Sequence, residues 1–243
     1  LRLIKARILI LDGDIEQATT VFDSLSPAIK SSTLGLTVQS KLLIAKRKYS
    51  EAVDVIERVY QKVKSQEVAS ILYTGLFRAN KEAEALAFSE KHLTIAPSHN
   101  KIRLLAANQQ IYSAPDKAII HYKYLVENET VQSPLVLNNL AWLLSEAEKY
   151  KDALVYADKA QAILPENPSI MATRGKILLQ LDQIDESLAL LENAFKTSVN
   201  SPDIGIDYVD ALLKANNVSE AKKVLTQLKP KTQEHERRID ELK

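Results

Sequence analysis

The chain has 243 residues, 46% of them hydrophobic and 26% charged, and carries no apolar run long enough to cross a bilayer. With 32 basic against 31 acidic residues the net charge is +1, so no global field draws it to nucleic acid or an anionic membrane, and neither is expected as a partner. The absence of cysteine removes disulfides, thiolate zinc sites and cysteine nucleophiles together, and fits a reducing or an oxidising compartment equally; localisation stays open.

Taken in chain order, Leu1 to Leu11 is apolar but broken by Arg2, Lys5 and Arg7, with no small-residue cleavage site after it, so it does not read as a signal peptide. Leu3, Ile4 and Ile8 lack polar cover, and further helical repeats are expected before residue 1. Small residues then recur at Ala18, Ala52, Ala85, Ala118, Ala153, Ser187 and Ala221, with spacings of 34, 33, 33, 35, 34 and 34. A period near 34 is that of a helix-turn-helix repeat, and the small side chain is needed where two antiparallel helices cross closely. The copies are expected at about 1–30, 31–64, 65–98, 99–133, 134–167, 168–201 and 202–230. The third and fourth are one residue short, and Tyr73 stands where a small residue is expected, which predicts distorted turns around Asn80 and Ser113–Pro115.

Ser133-Pro134, Asn167-Pro168 and Ser201-Pro202, 34 residues apart, each read as a capping residue before a first-turn proline. In the copy from Pro134, Leu137, Leu140, Ala141 and Leu144 share one face of the first helix. Tyr150, Ala153, Ala157 and Ala160 share the facing stripe of the second, which Pro165 ends. After Pro230, Lys231 to Lys243 is charged on most sides with Ile239 and Leu242 as its large apolar residues, reading either as a capping helix over 231–243 or as a frayed tail.

The string Leu140-Ala141-x2-Leu144, Ala153-x3-Ala157 and Pro165 resembles the tetratricopeptide repeat family, whose pattern is L-G-x2-Y, A-x3-F and P. The next copy carries Arg174-Gly175-x2-Leu178, Ser187-x3-Leu191 and Ala194, and weaker matches run back through Tyr122, Ile56 and Phe22. The resemblance implies an all-α chain, a right-handed α-α superhelix of about seven helix-turn-helix repeats over 1–230. It implies a protein-binding scaffold that takes a peptide or helix of a partner in a concave groove. More narrowly, Asn138-Asn-Leu-Ala-Trp-Leu-Leu, Ala153-Leu-x-Tyr-Ala-x-Lys-Ala and Leu164-Pro-x-Asn-Pro resemble bacterial tetratricopeptide proteins of PEP-CTERM/exosortase sorting and exopolysaccharide systems. That would imply a periplasmic or cell-envelope setting, with a cytoplasmic one as the alternative.

No catalytic, cofactor or metal constellation is legible. His92, His99, His121 and His235 show no i, i+4 pairing and read as surface or packing residues; no GxxxxGK[ST], GxGxxG or GxSxG string occurs. An enzyme is not expected, and carboxylates beside Lys and Arg on helix faces read as solvated. The groove candidates are the first-helix residues turned away from the second helix: Arg103, Asn138, Asn139, Trp142, Thr173, Lys176 and Gln180. Asn138-Asn139 reads either as an amide clamp on a peptide backbone or as one solvent-facing and one internally bonded amide. Trp142 reads as an exposed anchor or as core between repeats. The Lys/Asn/Asn/Lys/Arg carboxylate clamp of chaperone-binding relatives is not reproduced, since Asn139 is followed by Thr173 and Asp207, so an acidic tail is not the expected ligand. Two other functions fit the same residues: a self-associating module, and the regulatory arm of an enzyme whose catalytic part lies elsewhere.

Overall fold

The computed structural model describes residues 1–128, 133–198 and 201–242. Within them every regular element is a helix, sixteen in all, and the chain divides into two units, Leu1–Gln109 and Gln110–Lys243. The first unit holds α1 (Arg2–Leu11), α2 (Ile15–Asp23), the single turn α3 (Pro27–Lys30), α4 (Thr33–Ala45), α5 (Tyr49–Lys62), α6 (Gln66–Arg78), α7 (Glu82–Ile95) and all but the last residue of α8 (Asn100–Gln110). The second holds α9 (Pro115–Asn128), α10 (Pro134–Glu146), α11 (Tyr150–Ile163), α12 (Pro168–Gln180), α13 (Ile184–Thr197), α14 (Pro202–Lys214), α15 (Val218–Gln227) and α16 (Gln233–Glu241).

Helix pairs follow from the small residues. Ala18, Ala52, Ala85, Ala118, Ala153 and Ser187 are fully buried and Ala221 is 1% exposed, so each marks a close crossing. Serine is tolerated at position 187 because its Oγ donates to the Gly175 carbonyl at 2.7 Å, which satisfies the hydroxyl without water. Gly175 is itself required there: a Cβ would lie 2.7 Å from Leu191 Cγ. Around these crossings Leu137, Leu140, Leu144, Ile177 and Leu178 are wholly buried, each side chain worth about 1.5–3 kcal/mol of burial.

One local device recurs that the periodicity did not reveal. The turns of six hairpins each hold a residue in the left-handed region: Gly13, Arg47, Asn80, Glu148, Asp182 and Asn216. In each turn the same two bonds close the preceding helix, as when Glu148 N donates to Ser145 O and Lys149 N to Leu144 O, or Asn80 N to Phe77 O and Lys81 N to Leu76 O. This is the Schellman closure, which satisfies carbonyls that the helix end leaves free. The expected distortion around Asn80 is therefore absent: Asn80, at φ 60°, makes the same turn as its counterparts, asparagine tolerating that region readily. The turn before Pro115 differs, since no residue from Ile111 to Ala114 has a positive φ.

Capping also corrects the sequence reading. All three prolines sit in the first turn of their helices, but only Asn167 caps with its side chain, Oδ1 accepting from Ser169 N and Ile170 N; Ser133 and Ser201 make no such bond. Proline already removes one of the orphan donors, which reduces the need for the serine. Tyr73, too large for the usual crossing, is nevertheless 2% exposed, its hydroxyl bonded to the Leu105 carbonyl at 3.2 Å and to Gln109. Past Pro230, α16 is capped by the Thr232 hydroxyl, buries Ile239 and packs on α14.

Candidate functional site

In the second unit the first helices of successive pairs, α10, α12 and α14, stack side by side. Helical spacing sets a stripe on each: Asn138, Trp142 and Glu146 on α10; Ser169, Thr173 and Lys176 on α12; Asp203, Asp207 and Asp210 on α14. All but Asp210 line one cavity of about 570 Å³, joined by Asn139, Tyr112 ahead of α9 and Arg238 on α16.

Each lining side chain is held differently. Asn139 Nδ2 donates to the hydroxyl of wholly buried Tyr122 at 3.2 Å, which ties α10 to α9. Asn138 also lines the cavity, with its Oδ1 buried beneath the surface and without a hydrogen-bond partner. Trp142 meets Tyr112 edge to face, ring centroids 5.6 Å apart, and Tyr112 is 83% exposed. Thr173 Oγ1 is spent on the Ser169 carbonyl at 3.0 Å. Lys176 Nζ reaches back to Glu146 at 2.9 Å, bridging α12 to α10. Arg238 Nη2 lies 3.3 Å from Asp207 and 3.4 Å from Asp210, and His235 Nε2 lies 2.9 Å from Asp203. Burial pushes the Asp207 carboxyl up to about 6, against the opposing pull of Lys176 and Arg238, and raises Asp210 in the same direction.

Of the groove candidates, Asn138, Asn139, Trp142, Thr173 and Lys176 come together here. Gln180 is exposed at the end of α12 and is not among the lining residues. Arg103 belongs to the first unit, where it is 8% exposed and donates through Nη2 to the Pro97 carbonyl at 2.7 Å, a packing role. Sequence reasoning missed Tyr112, Glu146, Asp203 and Arg238. Glu146, four residues past Trp142, and Asp203, one period past Ser169, were within reach of the spacing; Tyr112 and Arg238 carry no such signal. Among the described residues no group of three or more His, Cys, Asp or Glu side chains is placed to hold a metal ion, and no helix is long and apolar enough to cross a membrane.

Comparison with known proteins agrees with this architecture. The tetratricopeptide repeat family model matches residues 185–243. Among solved structures, the C-terminal part of a repeat-containing protein from Cytophaga hutchinsonii is similar at a TM-score of 0.73 and 15% identity, covering 99% of both chains. A tetratricopeptide repeat protein from Parabacteroides merdae gives 0.63 at 13% identity over 99% of this chain and 97% of its own. YrrB, described as a tetratricopeptide protein with an unusual peptide-binding site, gives 0.60 at 15% identity over 77% of this chain and 92% of its own. No curated protein matches the sequence. At these identities the likeness is one of fold: the chain is a helical solenoid of the tetratricopeptide type, and the stretch 185–243 bears the sequence signature of the tetratricopeptide repeat family.

Proposed function

We propose that this chain is a non-catalytic interaction scaffold that takes a peptide or helix of a partner protein in the groove of α10, α12 and α14. The observation that carries the reading is the cavity along α10, α12 and α14, walled by the exposed ring of Tyr112 against half-buried Trp142. Aromatic rings at a surface supply apolar anchoring at low entropic cost. The peptide-binding site attributed to YrrB, a protein of like fold, supports the same use of the architecture. The envelope setting, in a sorting or exopolysaccharide system, rests on the resemblance of the Asn138–Leu144 string and is part of the proposal.

The test uses the whole chain as bait in a bacterial envelope extract, with the Asn138→Ala/Trp142→Ala variant as control, followed by titration of the captured partner. The double variant is expected to weaken binding by about thirtyfold or more, as loss of a tryptophan anchor typically does. Equal affinity of a folded double variant would place the binding surface elsewhere.

A further inference from the structure

We infer that α16 is the groove's own intramolecular ligand, a tethered helix that lies on the groove stripe of α14. It must leave that stripe before a partner segment can run along α10, α12 and α14 together. The inference rests on the groove reading above and adds its regulation. Elsewhere in this unit each first helix packs on the second helix before it, α10 on α9, α12 on α11 and α14 on α13, whereas α16 packs chiefly on α14, a first helix. Its charged contacts fall on the groove stripe: His235 Nε2 lies 2.9 Å from Asp203, and Arg238 Nη2 lies 3.3 Å from Asp207 and 3.4 Å from Asp210. Asp207 stands one period on from Thr173 and two from Asn139, so Arg238 sits where a ligand following that register would sit. Arg238 also lines the cavity itself.

The arm is held lightly and can come away whole. His235, Arg238, Ile239 and Leu242 follow at helical spacing and form the face toward α14, and Ile239 is the buried residue of that helix. One buried aliphatic side chain, a half-buried Leu242 and charge pairs within reach of solvent screening therefore secure it, beside a continuous core that joins α12 to α15. Away from α14 the helix keeps its own supports: the Thr232 hydroxyl caps it, and Arg237 pairs with Glu234 and Glu241 inside it. A segment with few buried apolar contacts opens locally at lower cost than the unit that carries it. Release uncovers Asp203, Asp207 and Asp210 together and lengthens the groove by the face of α14.

Two measurements on the full chain test this. In the native chain, amide protection of α16 is expected to be at least about tenfold below that of α14. It should fall about threefold further as salt rises from about 0.05 to 0.5 M at constant pH, while α14 holds. In the Arg238→Ala/Ile239→Asp chain, whose arm is released, a synthetic peptide of residues 231–243 added in trans is expected to bind at least about tenfold more tightly than to the native chain. Binding should shift the amide resonances of Asp203 to Asp210, and the same peptide carrying Arg238→Glu should not bind. Equal protection of α16 and α14 at both salts would mean that the arm opens only with the whole unit, and overturns the inference. So does a peptide that treats both chains alike, or that shifts residues away from α14. Neither measurement involves Asn138 or Trp142, so the arm can fail while the groove reading stands, and that reading is tested separately by the Asn138→Ala/Trp142→Ala variant.

Discussion

The two units place their polar side chains differently. In the first, Tyr60 OH, His92, His99 and Ser70 form one sealed chain of hydrogen bonds, with Tyr60 to His92 Nδ1 and His92 Nε2 to His99 Nδ1 both at 2.8 Å and Ser70 at 3.4 Å from His99 Nε2. Both imidazoles are within 1% of complete burial, and Phe88 stacks on His92. In the second unit the core crossings are mainly Ala, Leu and Ile, with Ser187 satisfied by the Gly175 carbonyl, and charged and amide side chains collect along the groove. A satisfied internal network contributes to a unique packing, whereas polar side chains gathered along an open cavity stay within reach of solvent and ligands.

Glycine contacts give the largest test of the contrast. A Cβ at Gly35 would meet backbone, lying 2.5 Å from the Lys30 carbonyl oxygen and against that of Ile29, whereas at Gly205 it would meet the movable side chains of Leu228 and, at 3.0 Å, Phe195. Gly35→Ala is expected to destabilise the first unit by about 3 kcal/mol and Gly205→Ala the second by about 1 kcal/mol, measured by urea unfolding followed through amide exchange in each unit. Equal costs would remove the distinction between rigid and yielding neighbours.

Acid should separate the units next. Burial, aided by His92 and Lys101, holds His99 down at about 4, and burial lowers His92. A depressed imidazole contributes stability that is present above its ordinary range and is lost as pH falls through the folded value, here from about 6.5 toward 4, costing the first unit roughly 2 kcal/mol. The groups facing the imidazoles are Tyr60 on α5, Ser70 on α6, Phe88 on α7 and Lys101 on α8, none of them an anion that would offset the added charge. Glu67, held below its usual range by the hydrogen bond from Lys41 and by Arg7, adds the same sign. In the second unit Asp207 has the opposite sign: a carboxyl raised to about 6 contributes stability that is complete below about 4 and is lost as pH rises through 6. Amide protection factors, which allow for the intrinsic slowing of exchange in acid, should therefore fall in the first unit between about pH 6.5 and 4.5 while Trp142 fluorescence holds. Loss of the Trp142 signal first would reverse the assignment.

The smallest effect sharpens the one device the units share. Asp182, at φ 60°, holds a left-handed conformation that glycine adopts freely, so Asp182→Gly is expected to stabilise the second unit by about 0.5–1 kcal/mol, seen as a higher urea midpoint. Asn80→Gly in the first unit should gain less, because asparagine already tolerates that region. A loss at Asp182 would point to its contact with Lys214, 2.7 Å away, as the stronger term.

How much was legible follows from range. The crossings at Ala18 through Ala221 could be read because each small residue answers a contact repeated every 34 or so residues, and the same register carries Asn139 to Thr173 to Asp207. The Schellman turns were missed because Arg47 and Glu148 are not residues that ordinarily announce a positive φ; the backbone bonds that close each helix end hold them there. Arg103 was placed in a groove by helical position alone, while its guanidinium finds the Pro97 carbonyl six residues back, a bond that depends on the bend of the chain before α8.

The sequence by itself determined the helical repeat and its crossings, because amphipathic period and side-chain size act over a few residues and need no knowledge of the rest. Only the tertiary structure decided the character of the groove. Tyr112, Trp142, Asp203 and Arg238 are far apart in the chain and meet through the stacking of α10, α12, α14 and α16, and the electrostatic balance of a site is a sum over whatever such stacking brings within a few ångströms.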